Sequence, residues 1–414
     1  MRVVVLAIAL LICNLSLMAQ ADRWWTQYHY IGTPDIEKGS VWLDGGFDMN
    51  SNRLSNVITG SILSGNTVTS NKTSYLTEES SASKTTIGGG VDAAAWFRTD
   101  GDGALHWHFG ASMTDRAYAR FATGLVQLML NGNGPYEDRS LDLGPSWLRY
   151  ISAQSIGFGI DLESDNVIFG SNLNLIKVSR WQSIDVASGT FYTAPYGTRI
   201  EADLTASRMY TATSQSKPGA WYGTGASVGL FIINRTAPGK LLISAQIKDL
   251  GFVHFGGITE ESIVLDTVFT GIRANDLLEA GPTFSEGNGL DSLEGLLGMQ
   301  RSQESGAVLF PGSIQLDAVQ PIGDKLSLAV QLRQYFMGVP PSMRLGMRIR
   351  LSNWLALEPY GSTGAFTRFN TGLGASVHPG ERIQMNILYG LLESQIARAT
   401  TRSQHLSGSF QFLF

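Results

Sequence analysis

Cysteine is almost absent from the sequence, because Cys13 is the only one among 414 residues. It lies in an N-terminal segment that reads MRVVVLAIALLICNLSLMAQA, with one basic residue, an apolar run over 3–12 and small residues at Ala19 and Ala21. This order of residues is typical of a secretory signal peptide, here residues 1–21, that is removed on export. The remaining chain, 22–414, would then have neither disulfides nor thiolate metal ligands.

Two other interpretations of this N-terminus fit less well. The apolar run is shorter than the ~20 residues that a membrane-spanning helix needs. A lipid-attachment site at Cys13 would have Gly or Ala before the cysteine, whereas the sequence has Ile12. A cleaved signal peptide therefore remains the prediction.

Charge is also scarce, since charged residues make up only 16% of the chain, against about 25% in typical soluble domains. No long apolar run follows residue 21, so the sequence excludes an α-helical membrane span. Polar and apolar residues must therefore alternate at short spacing. The 35 acidic residues outnumber the 30 basic ones, and this balance gives no indication of nucleic-acid binding.

Alternation of polar and apolar residues is what the sequence has instead. It is regular in LSLAVQLRQYF at 326–336 and in MRLGMRIRL at 343–351. Successive side chains of a strand point to opposite faces, so each segment predicts a strand with one apolar and one polar face. A soluble sandwich would alternate too, but strands of about ten residues are long for a sandwich. Three arginines on the polar face of 343–351 further favour a barrel.

Connection lengths point the same way. Near the C-terminus, the longer predicted connections (337–342, 359–364, 393–403) alternate with the short ones (322–324, 352–353, 379–381). Long loops at one end and tight turns at the other are typical of bacterial outer-membrane barrels. We therefore predict an all-β fold, a transmembrane antiparallel β-barrel of about 14 to 16 strands. The earlier strands are predicted at 41–47, 85–97, 104–113, 118–130, 147–162, 168–178, 200–210, 221–233, 241–247 and 263–269.

One segment, residues 275–303, does not alternate. Its leucines follow helical spacing, and Gly and Pro interrupt the pattern. The order of turns places this partly helical insert at the extracellular end of the barrel. It would cap the pore, fold into the lumen, or form an ordinary solvated loop helix.

Short motifs give no support for catalysis or metal binding. The segment 225–229, GASVG, matches the nucleophile elbow, but its surroundings predict a continuous strand rather than a strand-to-helix turn. His106 and His108 share a strand face, yet no further metal ligand can be identified. The segment 100–103, DGDG, lacks the later ligands of a calcium loop. We predict no catalytic residue, no metal and no cofactor.

IKDLGFVHF at 247–255, the insert, and LFPGSIQLDAVQPIGDKLSLAVQLRQYF at 309–336 resemble an uncharacterised family of Gram-negative outer-membrane barrels, a domain of unknown function. The resemblance covers about residues 220–414. It implies a signal peptide, a β-barrel and an outer-membrane location. The chain is more distantly similar to the long-chain fatty-acid transporter and type IX secretion barrels, but it lacks their Asn-Pro-Ala motif and has only residues 22–39 in place of a hatch.

The candidate site is a row of arginines on the polar faces of consecutive strands, which should share the lumen: Arg333, Arg344, Arg348, Arg350, Arg368 and Arg382. Such a row would favour anions or orient an acidic ligand. Alternatively, the arginines pair with lumenal carboxylates such as Asp317.

The C-terminal strand has Phe410, Phe412 and Phe414 on one face. In lipid every backbone polar group needs a protein partner, so the last strand should pair with the first and turn these rings outward. The resemblance implies that the outer-membrane assembly machinery reads this aromatic terminus as a signal.

Three functions follow from these predictions. The first is a porin-like channel or transporter for a small acidic or amphipathic solute. The second is a non-conducting barrel that anchors a secretion or surface assembly. An outer-membrane lipid hydrolase is the third and the weakest. The expected partners are outer-membrane lipids, the assembly machinery and a small-molecule solute, without nucleic acid.

Overall fold

Twelve stretches of the chain are described by the computed structural model. They are residues 39–55, 58–59, 84–99, 104–164, 166–211, 220–234, 241–270, 300–336, 338–364, 366–380, 382–390 and 403–414. The predicted signal peptide, the segment 100–103 and residues 275–299 of the predicted insert lie outside them. The last residues of that insert, 300–303, are already strand.

The described residues form one antiparallel sheet. Its strands are β1 (Ser40–Ser51), β2 (Thr85–Arg98), β3 (Leu105–Phe121), β4 (Ser140–Asp142), β5 (Ser146–Ser164), β6 (Val167–Thr193), β7 (Ile200–Tyr210), β8 (Gly223–Asn234), β9 (Leu242–Phe269), β10 (Gln300–Leu309), β11 (Ser313–Ile322), β12 (Leu326–Tyr335), β13 (Ser342–Arg350), β14 (Leu355–Gly364), β15 (Thr367–Val377), β16 (Ile383–Gly390) and β17 (Ser403–Leu413). One α-helix, α1 (Thr123–Asn131), and 3-10 turns at Gly134–Tyr136 and Pro195–Gly197 complete the described elements.

Pairing of the last strand with the first closes the sheet into a barrel of 14 strands. β7 and β8 lie end to end beside β6, and β10 and β11 lie end to end beside β9, so each pair acts as one strand of the wall. β4 only extends the sheet beside the upper part of β6. The ring order is therefore β1, β2, β3, β5, β6, β7/β8, β9, β10/β11 and β12 to β17, within the predicted strand number.

The outer face of the barrel carries an apolar belt, as a membrane-spanning barrel requires. The exposed apolar side chains that form it include Leu105, Trp107, Phe109, Ile156, Phe158, Leu173, Ile232, Ile243, Leu316, Leu328, Leu345, Trp354, Met385 and Ile387. The C-terminal rings join this belt: Phe412 and Phe414 are exposed, and Phe414 stacks on Phe97 of β2 with centroids 5.8 Å apart. The predicted outward face of the last strand is confirmed. The described residues include no helix long and apolar enough to cross a membrane.

One side of the barrel is much taller than the other. β6 has 27 residues and β9 has 28, whereas β11 to β17 have 8 to 11 each. At ~3.3 Å per residue, β9 is about 90 Å long, so its far half stands above the belt. We call the far halves of β6 and β9, with β4, β7 and β10, the tall wall. An apolar cluster that includes Ile151, Val178, Trp181, Phe255, Ile258 and Phe310 packs against Met209 of β7 and Val308 of β10.

An ion cluster holds β9 to its neighbours in the tall wall. Tyr210 and Arg301 each donate a hydrogen bond of 2.7 Å to the Glu261 carboxylate, and Arg208 lies 3.7 Å from it. Burial alone would raise the pKa of Glu261, but these hydrogen bonds and charges outweigh burial and lower it. The carboxylate therefore stays charged and links β7, β9 and β10.

Three details of the predicted strands are wrong. Residues 118–130 are not a separate strand: residues 118–121 are the end of β3, which continues without a break from the predicted strand 104–113. The α1 helix follows, in which Val126 and Leu130 lie one helical turn apart and join an apolar cluster with Leu54 and Ile58. Residues 359–364 are not a loop but the end of β14. Residues 241–247 and 263–269 are the two ends of the single strand β9.

Proline explains the second of these differences. Pro359 cannot donate to a β-ladder, and such a residue usually argues against a central strand. Here the β13–β14 pairing is interrupted beside it, between the pairs Gly346–Tyr360 and Ile349–Leu357, so β14 continues to Gly364.

Candidate functional site: a closed chamber in the lumen

An aromatic layer crosses the lumen near the tight-turn end of the barrel, and we call it the floor. Trp42 of β1 stacks on Trp96 of β2 with ring centroids 6.5 Å apart. His108 of β3 meets Trp42 edge-on at 6.1 Å and Phe231 of β8 at 6.4 Å. The layer thus extends from β1 to β8 and obstructs this end of the lumen.

Glycines in the opposing wall make room for the floor rings. A Cβ at Gly110 of β3 would overlap the Trp96 ring, and one at Gly157 of β5 would lie 2.6 Å from it. A Cβ at Gly170 of β6 would likewise overlap the Phe231 ring. Because contacts this short cannot be accommodated, these positions require glycine for the rings to lie against the wall.

Buried charges fix the floor from below. Arg98 is 1% exposed and Asp161 is fully buried, and their side chains are 2.9 Å apart. The other Asp161 oxygen lies 2.7 Å from His108 Nε2. Glu163 lies 3.4 Å from Arg98 and 3.8 Å from His106. A buried charge is tolerated only with such partners, so this network holds the rings in one arrangement.

A second aromatic layer, the roof, closes the loop end. Phe366, in the connection between β14 and β15, stacks on Tyr118 of β3 with centroids 5.5 Å apart. Tyr335 of β12 lies 6.1 Å from Tyr118, and Val339 packs against this group. A Cβ at Gly88 of β2 would overlap the Phe366 ring. The roof thus joins β2 and β3 to two connections on the far side of the ring.

Between floor and roof lies a chamber that is partly open to solvent. Most of its lining is polar. Its charged lining residues are Asp44, Asp92, Arg116, Lys248, Asp249 and Arg333, and Trp96, Tyr118 and Tyr335 supply its aromatic surfaces.

The β1–β3 side of the chamber is organised by Arg116, which is 4% exposed. Its guanidinium lies 2.9 Å from Asp92 and 3.4 Å from Asp48, and it donates to the Tyr118 hydroxyl at 2.8 Å. Thr114 also donates to Asp92. Asp44 of β1 also lines this side of the chamber.

The β9–β12 side carries the cations Lys248 and Arg333. Arg333 Nε donates to Ser313 Oγ at 3.3 Å, and its guanidinium lies 4.6 Å from the Tyr335 ring centroid. Asp249 sits at a bulge of β9 with φ +53°, where its carboxylate accepts from Asn174 at 3.1 Å and from Ser227 at 3.3 Å. These two hydrogen bonds hold the Asp249 carboxylate toward β6 and β8.

The predicted arginine row does not gather in one place. Of the five members whose side chains are described, only Arg333 lines the chamber. Arg344 lies over the Tyr360 ring at 4.7 Å, and Arg348 Nε is 3.5 Å from the buried Glu358 carboxylate. Arg350 and Arg382 are exposed at the tight-turn end. The side chain of Arg368 lies outside the described part of the structure, and a common role for the row stays a prediction.

The carboxylate proposed as a partner for the row, Asp317, is buried. It accepts hydrogen bonds from Gln315 at 2.9 Å, from Gln331 at 3.0 Å and from Ser244 at 3.1 Å. One arginine of the row, Arg348, pairs with a carboxylate, that of Glu358.

Sequence reasoning missed the acidic half of the chamber. The parity of β3 could have placed Arg116 on the same face as His106 and His108. The partners of Arg116 could not be found in this way, because Asp48 and Asp92 lie on other strands whose register the sequence does not reveal.

The remaining short motifs lie on strands of the barrel. Ser227 of the GASVG segment lies in the middle of β8, 2% exposed and within hydrogen-bonding distance of Asn174 and Asp249, rather than on a nucleophile elbow. His106 and His108 both face the lumen as part of the floor network. The described residues contain no group of three or more side chains placed to hold a metal ion.

Comparison with known proteins shows which family the chain belongs to. Residues 27–388 match the family of unknown function DUF5723. The chain belongs to this family. The resemblance to an uncharacterised barrel family is thereby confirmed. No curated protein matches the chain.

Several solved structures are similar to the chain at low identity. A FadL homologue from Pseudomonas aeruginosa is 9% identical, with 91% of this chain and 90% of that chain covered and a TM-score of 0.46. The toluene transporter TodX from Pseudomonas putida is 10% identical, with 92% and 91% covered and a TM-score of 0.44. The translocator domain of the autotransporter NalP from Neisseria meningitidis is 10% identical, with 95% and 93% covered and a TM-score of 0.36.

Proposed function

We propose that the protein is a gated channel of the bacterial outer membrane that holds a small amphipathic solute in the chamber. The observation that carries this proposal is a polar chamber between two aromatic layers. An inert barrel would fill its lumen with packed side chains, whereas unfilled space remains here between floor and roof. The apolar outer belt and the predicted signal peptide support the location.

Each layer depends on one large ring, and this provides a direct test. Trp96 is the ring of the floor that packs on Gly110 and Gly157, and Phe366 is the ring of the roof that reaches Gly88. Replacing a ring with alanine removes most of its cross-section from the lumen. We expect the double variant Trp96→Ala/Phe366→Ala to raise the single-channel conductance in planar bilayers by about tenfold or more, because both barriers are in series.

Matched controls come from rings on the outer face. Trp107 and Phe369 are exposed outward-facing aromatics on β3 and β15. The double variant Trp107→Ala/Phe369→Ala removes the same side-chain types without touching the lumen, so its conductance should equal that of the parent. A folded Trp96→Ala/Phe366→Ala barrel that passes no current would contradict a channel.

A non-conducting anchor is the second candidate, and the tall wall is the observation that favours it. At its tip Tyr196 is 92% exposed with φ +60°, and its N–H donates to Glu137 at 3.1 Å. Such a supported, exposed aromatic suits contact with another protein. Absence of conductance in the folded double variant would favour this role.

A further inference from the structure

The chamber combines charges of both signs in equal number. Among the described lining residues, three are acidic (Asp44, Asp92, Asp249) and three are basic (Arg116, Lys248, Arg333). A solute with a net charge would add an unpaired charge to this balanced set, which is costly in a confined space. The balance therefore favours a solute whose own charges cancel.

The charges are also separated in space. Asp44 lies on β1 and Asp92 on β2, whereas Lys248 lies on β9 and Arg333 on β12. Within the ring, four strands separate β2 from β9 in one direction, and five separate β12 from β1 in the other. The two sides therefore face each other across the lumen.

Hydrogen bonding strengthens this polarity. On the acidic side, the guanidinium of Arg116 is shared by Asp92 and Asp48. On the basic side, the Asp249 carboxylate is engaged by Asn174 and Ser227, away from β12. The chamber thus presents a negative end and a positive end to a solute.

Aromatic rings lie above and below this charged space. Trp96 belongs to the floor, and Tyr118 and Tyr335 belong to the roof, and all three line the chamber. Rings in such positions contact planar apolar groups by stacking or edge-on packing. A solute that fits would have an apolar, ideally aromatic, body between two opposite charges.

We propose that the chamber binds short zwitterionic peptides with an aromatic side chain. The ammonium group lies toward Asp44 and Asp92, and the carboxylate lies toward Lys248 and Arg333. The aromatic side chain contacts the Trp96 ring. This assignment rests on the proposed channel function. It narrows the predicted solute, acidic or amphipathic, to one of zero net charge.

Four forms of one dipeptide test the proposal with the purified full-length barrel in detergent. They are glycyl-phenylalanine, its N-acetyl form, its C-terminal amide and the doubly blocked form, measured by titration calorimetry. We expect the zwitterion to bind at least about tenfold more tightly than each blocked form, because each block removes one charge contact.

Variants then assign each end of the peptide. Lys248→Gln or Arg333→Gln should abolish the preference for the free carboxylate over the amide, while the preference for the free amine persists. Asp44→Asn or Asp92→Asn should do the opposite. Two variants on each side keep the test decisive if one of them does not fold. Arg350→Gln, at the tight-turn end, is the matched control and should leave all four affinities unchanged.

Three results would overturn the proposal: equal affinity for the four forms, no binding of any form at millimolar concentration, or variants that lower all affinities alike. Conductance separates this proposal from the channel function. If the Trp96→Ala/Phe366→Ala barrel conducts but the parent barrel shows no preference for the zwitterion, only the peptide site is contradicted. A barrel that binds the zwitterion but never conducts contradicts only the channel.

Discussion

The floor and the roof bound the same chamber, but different kinds of segment supply their side chains. The floor rings all come from strands, and a buried ion network of Arg98, Asp161 and His108 supports them. The roof depends on Phe366 and Val339, which lie in connections between strands. Side chains on paired strands have little freedom, whereas connections open at lower cost. The comparison indicates a rigid barrier at the tight-turn end and a movable one at the loop end.

The largest effect should come from the ion network of the floor. Asp161→Asn removes the charge that Arg98 and His108 share, and the buried Arg98 guanidinium loses the carboxylate that lies 2.9 Å from it. We expect the free energy of unfolding to fall by about 3 kcal/mol, measured by reversible urea unfolding in micelles.

An ion pair of the tall wall is the control for that change. Arg149 and Asp185 are 2.7 Å apart, but their side chains are 27% and 36% exposed. Asp185→Asn should therefore cost less than about 1 kcal/mol. Equal losses for Asp161→Asn and Asp185→Asn would show that the floor is no more rigid than the exposed wall.

A pair of glycine substitutions compares the two layers directly. Gly110→Ala places a methyl group against Trp96, whose ring is held by Trp42, and should destabilise the barrel by about 1–3 kcal/mol. Gly88→Ala places the same group against Phe366, which can move with its connection. It should cost less than about 1 kcal/mol and raise the conductance. The reverse order of stabilities would mean that the roof is the fixed barrier.

The smallest effect should come from the hydrogen bond between the roof and the chamber wall. Tyr118→Phe keeps the ring that stacks on Phe366 but removes the hydroxyl that accepts from Arg116 at 2.8 Å. We expect a loss of about 0.5–1.5 kcal/mol with no change in conductance, since the ring remains in place. A conductance increase as large as that of Gly88→Ala would show that the hydroxyl, rather than the ring, holds the roof closed.

Much of the barrel follows from local pattern. The alternation at 326–336 and 343–351 correctly predicts β12 and β13 with their apolar faces outward, and the aromatic C-terminal strand correctly predicts closure on β1. The error at 118–130 has a local cause too. The spacing of Val126 and Leu130 fits one face of a helix as well as one face of a strand. In the structure both side chains belong to an apolar cluster with Ile58, which is distant in the sequence.

Less of the candidate site could be predicted from the sequence. Six arginines on polar faces predicted a shared lumen, but of the five whose side chains the structure describes, only Arg333 lines the chamber. Its acidic counterparts, Asp44 and Asp92, lie far from Arg333 in the sequence. Asp44 and Asp92 lie across the lumen from Arg333 because of the number and order of strands around the ring.

The sequence by itself determined which residues face lipid and which face the lumen, because side-chain direction alternates along every strand whatever its partners. Only the tertiary structure decided that Trp96 and Phe366 divide the lumen into layers, and that carboxylates on β1 and β2 face cations on β9 and β12. Those relations depend on closure, register and the stagger between strands, which are properties of the whole ring.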